Sequence, residues 1–173
     1  MPTVAVYTLG VALLAPILIG KLGLPLMGTH LFLVFYASLS AITPPVAVAN
    51  FAAAAISGAN PMSVGPYACK LTVGGFIAPF FLLFNPGVLM QGGVVQIVAH
   101  SFIGTAMVVA ASLAVHGWWG NRKIPWPARL VLAVTALAMI KPVPSIQWIA
   151  VAATLAACAG MWKLLPQDKT HPA

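Results

Sequence analysis

Acidic side chains are almost missing from this chain of 173 residues, whose single carboxylate is Asp168 near the C-terminus. Paired acids for glycoside hydrolysis, aspartyl proteolysis or a proton relay are therefore excluded. No nucleophile stands in a recognisable pairing with a base, so the chain does not read as an enzyme. Charge of either sign is scarce, at 5% of residues against 61% hydrophobic ones. A soluble fold of that composition, with a mean hydropathy of +1.02, would lack the polar groups to cover its surface. Cysteine is nearly absent as well: Cys69 and Cys158 lie in or beside apolar segments and read as structural thiols. His30, His100 and His116 have no second ligand three or four residues away, which removes a metal centre of the usual spacing. No basic stretch precedes the first apolar run, so the N-terminus does not resemble a cleaved signal peptide.

What is present is a set of apolar segments long enough to measure against the roughly twenty residues of a spanning helix. The chain reads as an all-α integral membrane protein. The first segment, Val4 to Gly20, is slightly short and resembles one arm of a re-entrant hairpin. The second, His30 to Ser57, is too long for a simple span. Two half-helices are expected there, Leu31 to Ala41 and Val46 to Ser57. Gly58-Ala59-Asn60-Pro61 reads as a turn with a fresh helix near Met62. A third segment runs from Leu71 to Phe84 and stops at Asn85-Pro86-Gly87. The fourth, Val94 to Trp118, ends in the aromatic pair Trp118-Trp119, read with Trp126 as interface anchors. A final hairpin has arms Ala128 to Ile140 and Ile146 to Leu164, and a polar tail follows from Pro166 to Ala173.

The formal charge of +7 comes from basic residues scattered singly, which do not form a nucleic-acid-binding face. They orient the chain instead. With Arg122, Lys123 and Arg129 on the cytoplasmic side, alternation also places Lys70, Lys163 and Lys169 inside and leaves Lys21 and Lys141 outside.

The interruption of the second segment carries the functional reading. Pro44 and Pro45 both lack an N–H, and Pro44 pushes Thr43 out of helical geometry, so carbonyls on the preceding turn lose their partners. At membrane depth such oxygens persist only where protein, water or an ion meets them, and broken helices are a common way for transporters to build a site. Sodium favours several hard oxygen ligands, which unwound carbonyls and the Thr43 hydroxyl supply without buried charge. Asn50 is polar among alanines and a candidate to face that site. The small-residue face of Ala49, Ala52 to Ala55 and Gly58 is expected to pack against the arm Val4 to Gly20. Gly74-Gly75 and Gly92-Gly93 mark close helix contacts or flexible linkage, not phosphate binding.

The run ITPPVAVANFAAAAISGANPM, with HLFLVFY before it and FIAPFFLLFNPGVL after it, resembles the C-terminal part of the large membrane subunit of TRAP transporters. It is most similar to the fused permeases that work with a TAXI-type binding protein. The resemblance covers roughly Met1 to Met90, followed by a C-terminal transmembrane extension over residues 91–165. It implies a helical bundle with a discontinuous transmembrane helix and a partial re-entrant hairpin. It also implies sodium-coupled import of small organic acids across the bacterial inner membrane, with a periplasmic substrate-binding protein as partner. Met1-Pro2-Thr3 looks like the remnant of the family's G-M-P-T hairpin tip, and Thr43-Pro44-Pro45-Val46 matches its T-P-P-V break, with Ala47 where many relatives have glycine. By that resemblance Thr3, Thr43, Pro44, Pro45 and Asn50 are ion- or substrate-binding residues, with Thr43 in a sodium site and no covalent cofactor. Family permeases hold two inverted repeats, and this chain matches parts of one, so the expectation is a truncated or split permease that functions with the remaining part. The rival is a non-transporting membrane scaffold that docks a partner by its alanine-rich face.

Overall fold

Apolar runs punctuated by Pro, Gly and Asn fold as helices joined by short turns, in a computed structural model that describes residues 3–119 and 122–164. Met1 and Pro2 of the expected hairpin tip, and the polar tail, lie outside the described residues. Helix α1 (Thr3–Ala15) continues through a π-helical turn, Pro16–Lys21. The result is an apolar run of 19 residues, about 28 Å long at 1.5 Å per residue, which is nearer to a full span than to a short arm. Helix α2 (Leu26–Leu39) begins five residues before the expected Leu31 because Pro25 makes the stop and His30 does not. The Tyr7 hydroxyl lies 2.8 Å from His30 Nδ1, and that partner lets the imidazole sit inside the helix.

Helix α3 (Val48–Ser57) ends at Gly58, whose φ of 70° is the left-handed backbone that glycine adopts without cost. Three residues later α4 (Pro61–Leu71) starts with Asn60 as its cap, the side-chain oxygen accepting from the Met62 N–H at 2.9 Å. So short a turn folds α3 back on α4, which overturns the expected packing of the alanine face on the first segment. Ala54 is buried, whereas Ala52, Ala53 and Ala55 are exposed. α1 lies against α2 instead. Helix α5 (Val73–Phe84) leaves α4 at an angle of 46° across Thr72, and the two together are apolar enough to make a third crossing beside Thr3–Lys21 and Val94–His116.

A 3-10 turn (Pro86–Leu89) leads to α6 (Val94–His116), then to a ribbon of two-residue strands, β1 (Trp118–Trp119) and β2 (Arg122–Lys123), paired antiparallel. Lys123 Nζ stands 5.2 Å from the Trp118 ring centre, an aromatic-cation pairing of the kind placed at a membrane interface. Helices α7 (Trp126–Ala138) and α8 (Pro144–Leu164) complete the chain. Arg129 fastens α7 to α6: its guanidinium donates to the carbonyls of Ala114 at 2.8 Å and Val115 at 3.0 Å, groups that the end of α6 leaves without helical partners. Its guanidinium therefore caps the end of α6.

The core lies among α5 to α8, where Phe81, Ile103, Met107, Leu132, Met139 and Val151 interlock with small residues of α6 such as Ala110 and Ala111. Small residues let helix backbones approach where lipid offers no hydrophobic drive to associate. One buried polar knot closes the end of this bundle. Asn85 donates to the carbonyls of Phe81 at 3.1 Å and Ile140 at 3.3 Å, while Gln147 Nε2 donates to Asn85 Oδ1 at 2.8 Å and to the Met139 carbonyl at 3.1 Å. Replacing Asn85 by leucine leaves a Gln147 donor and the Ile140 carbonyl unpaired. Thermal or denaturant unfolding in detergent is expected to show a loss of about 1–3 kcal/mol, and unchanged stability would contradict the role given to the knot.

Candidate functional site

In an uninterrupted helix the N–H of Pro44 would meet the Ser40 carbonyl and that of Pro45 the Ala41 carbonyl, so the two imino acids remove two specific donors. The chain replaces one of them. Ala49 N–H, at the start of α3, donates to Ala41 O at 3.0 Å. Ile42 O, freed by the same unwinding, accepts from Asn50 Nδ2 at 3.0 Å, with the Cys69 thiol 3.9 Å away. Thr43 O keeps its helical partner, the Ala47 N–H, at 3.2 Å. Ser40 O alone of these four carbonyls receives no bond from the described residues. The expected row of bare carbonyls thus reduces to one orphan.

That orphan stands beside a cavity of roughly 460 Å³ lined by Ser40, Thr43, Pro44, Pro45, Tyr36 and Val6, among others. Two hydroxyls share the wall. Thr43 Oγ1 donates to Leu39 O at 2.9 Å and Ser40 Oγ to Ala37 O at 2.6 Å. With each proton directed into the backbone, the lone pairs of both oxygens remain for an acceptor's role. The Tyr36 hydroxyl is tied to the Phe76 carbonyl at 2.9 Å, which anchors the end of α2 to α5.

Ala47 closes the turn with φ 32° and ψ 49°, and it is 4% exposed. A side chain in this left-handed conformation costs about 1–2 kcal/mol, which is a backbone reason for glycine to be at home there. The Pro44–Pro45 peptide is cis.

Among the residues expected at the site, Thr43, Pro44 and Pro45 meet at the cavity wall. Asn50 is 2% exposed and works from behind, holding Ile42 O. Thr3 is exposed at the first turn of α1, and Val6, one turn further along, is the residue of that helix on the cavity wall. Two residues escaped sequence reasoning. Ser40 had a usable signal, being four before the first proline. Gly65 on α4 had none: a β-carbon there would stand 2.6 Å from Pro44 Cγ and 3.0 Å from Asn50 Nδ2, so α4 must be bare where the break rests on it. No cluster of three His, Cys, Asp or Glu side chains occurs among the described residues. The polar groups that the break brings to this mostly apolar wall are neutral oxygens.

A helical membrane protein with a discontinuous helix whose broken turn lines a cavity is the class that this fold and site define. The chain belongs to the DctM component family of the tripartite ATP-independent periplasmic (TRAP) transporters, whose family model matches residues 1–97 of its 173. No curated protein matches the chain, and neither does any solved structure.

A methyl at position 65 would press on both the Pro44 ring and the buried Asn50 amide that holds the Ile42 carbonyl, so Gly65→Ala is expected to lower stability by about 1–3 kcal/mol. Ala47→Gly is expected to raise it by up to about 1 kcal/mol, as relief of the left-handed alanine outweighs the added freedom of the unfolded chain. Circular dichroism melts of the purified protein read both. A silent Gly65→Ala, or a destabilising Ala47→Gly, would contradict the packing described.

Proposed function

We propose that the chain is the site-bearing part of the membrane component of a sodium-coupled importer of small organic acids, of the fused type that works with a TAXI-type periplasmic binding protein in the bacterial inner membrane. The observation that carries this reading is the broken helix of a TRAP-family chain, where the Ser40 carbonyl has no partner among the described residues and Ser40 and Thr43 line one cavity. Sodium binds through several oxygens at about 2.4 Å, a hard-ion preference like that of calcium. Ser40 and Thr43 provide such oxygens without a carboxylate. The N-terminus of α3 opens at the same break, and its positive end favours an anionic substrate group next to the cation.

Remaining ligands come from the rest of the permease, which also covers the exposed residues of α3, among them Phe51 and Ile56. Motion of the site-bearing domain across the bilayer, elevator-like as in the family, carries ion and acid together. A scaffold that docks a partner by the same exposed face of α3 is the second reading, and the site chemistry separates the two.

Sodium-driven uptake in proteoliposomes of the assembled transporter provides the test. Thr43→Val is expected to weaken sodium dependence at least about tenfold, the loss of one oxygen ligand worth about 1.4 kcal/mol, while Thr43→Ser retains it. Unchanged sodium dependence in Thr43→Val would sink the proposal and favour the scaffold.

A further inference from the structure

A second cavity, of roughly 340 Å³, lies where the end of α5, the first three turns of α6 and the loop between α7 and α8 meet, far along the chain from the broken helix. Its polar wall is made by Asn85, Gln96, His100 and Gln147. Gln147 is 1% exposed. Both of its amide hydrogens are committed, to Asn85 Oδ1 at 2.8 Å and Met139 O at 3.1 Å, and its carbonyl oxygen receives no described donor. His100 Nδ1 is buried and without a partner. A buried ring nitrogen with no acceptor is a poor place for the proton, so the proton belongs on Nε2, as a donor for whatever fills the cavity. Pro144, the first residue of α8, is also on this wall, so the helix's positive N-terminus opens there.

An apolar groove of roughly 610 Å³ adjoins this polar cavity and shares Val95, Ala99 and Trp148 with it. Its floor is the stripe Val94, Val98 and Phe102 on α6, spaced by four, with Val98 63% and Phe102 51% exposed. α6 is long and apolar enough to cross a bilayer, so its first turn lies at the headgroup level and the stripe runs about 12 Å from there into hydrocarbon. A polar chamber at the interface, opening onto an apolar furrow that descends one helix, has the shape of a phospholipid. Lys141 is exposed next to Pro142 on the loop at the mouth. With no carboxylate on the described residues, the local charge favours an anionic headgroup.

We infer that this pair of cavities holds one anionic glycerophospholipid. Its phosphate lies at the α8 N-terminus near Lys141, a hydroxyl of its headgroup, a glycerol as in phosphatidylglycerol, donates to Gln147 Oε1, and one acyl chain lies along Val98 and Phe102 against Trp148. The lipid would seal the seam between the family-matched part of the chain and the C-terminal hairpin.

Native mass spectrometry of the full chain released from nanodiscs of mixed phosphatidylglycerol and phosphatidylcholine tests this. One phosphatidylglycerol is expected to stay bound in preference to phosphatidylcholine. Val98→Trp, which fills the groove from an exposed position, and Lys141→Gln are each expected to reduce retention about tenfold, with the helical circular dichroism unchanged; Gln147→Leu is expected to do the same where it folds. Soluble glycerol 3-phosphate, lacking the acyl chain, is expected not to displace the lipid. Equal retention of both lipids, displacement by glycerol 3-phosphate, full retention in Val98→Trp, or disulfide-linked dimers through Val98→Cys in place of bound lipid would each overturn the inference.

Discussion

Every backbone N–H and C=O at membrane depth must find a partner, because lipid supplies none. Two consecutive imino acids at positions 44 and 45 break that rule at two named carbonyls, and much of the N-terminal half is arranged around the consequence. α3 is turned so that Ala49 and Asn50 reach back to Ala41 and Ile42. Ala47 takes a left-handed backbone to let the chain make that turn. Gly65 is bare so that α4 can support the proline ring and the Asn50 amide together. One carbonyl, that of Ser40, is left without a partner among the described residues, and Ser40 and Thr43 both line the cavity there. Site and fold have the same physical origin here.

The two halves of the molecule differ in how they are held. α5 to α8 enclose the apolar core, with the Arg129 staple at one end of α6 and the Asn85–Gln147 knot toward the other. The half that carries the break has fewer buried side chains, and α1 and α3 present exposed apolar residues such as Val4, Leu13, Phe51 and Ile56. Exposed apolar surface on a membrane helix carries no penalty against lipid, but small residues in such a row, Ala52, Ala53 and Ala55, are what a neighbouring helix uses for close approach. A well-packed C-terminal bundle thus stands beside a thinly packed segment that carries the break.

Much of this was legible in the sequence where the signal is local. Proline and asparagine chemistry marked the break at Thr43, the cap at Asn60 and the turn at Asn85, and each lies where those residues demand it. The start of α2 was misplaced because His30 looked like a polar boundary, and only its contact with Tyr7 from another helix explains its comfort inside. The partner of α3 was missed for a similar reason: the alanine face says that something approaches, not what. Gly65 could not have been found, since its importance rests on a proline ring twenty-one residues away in sequence. Counting four back from Pro44 and Pro45 names Ser40 and Ala41 as the two carbonyls at risk without coordinates, and only the fold shows that Ala49 meets the second of them.

The central claim is that the broken turn coordinates the coupling ion, and the most direct measurement is a map of the assembled transporter with sodium replaced by thallium(I). A strong peak within bonding distance of Thr43 Oγ1 and the Ser40 carbonyl is the expected result. A peak elsewhere, with Thr43 and Ser40 packed dry against protein or lipid, would contradict the account.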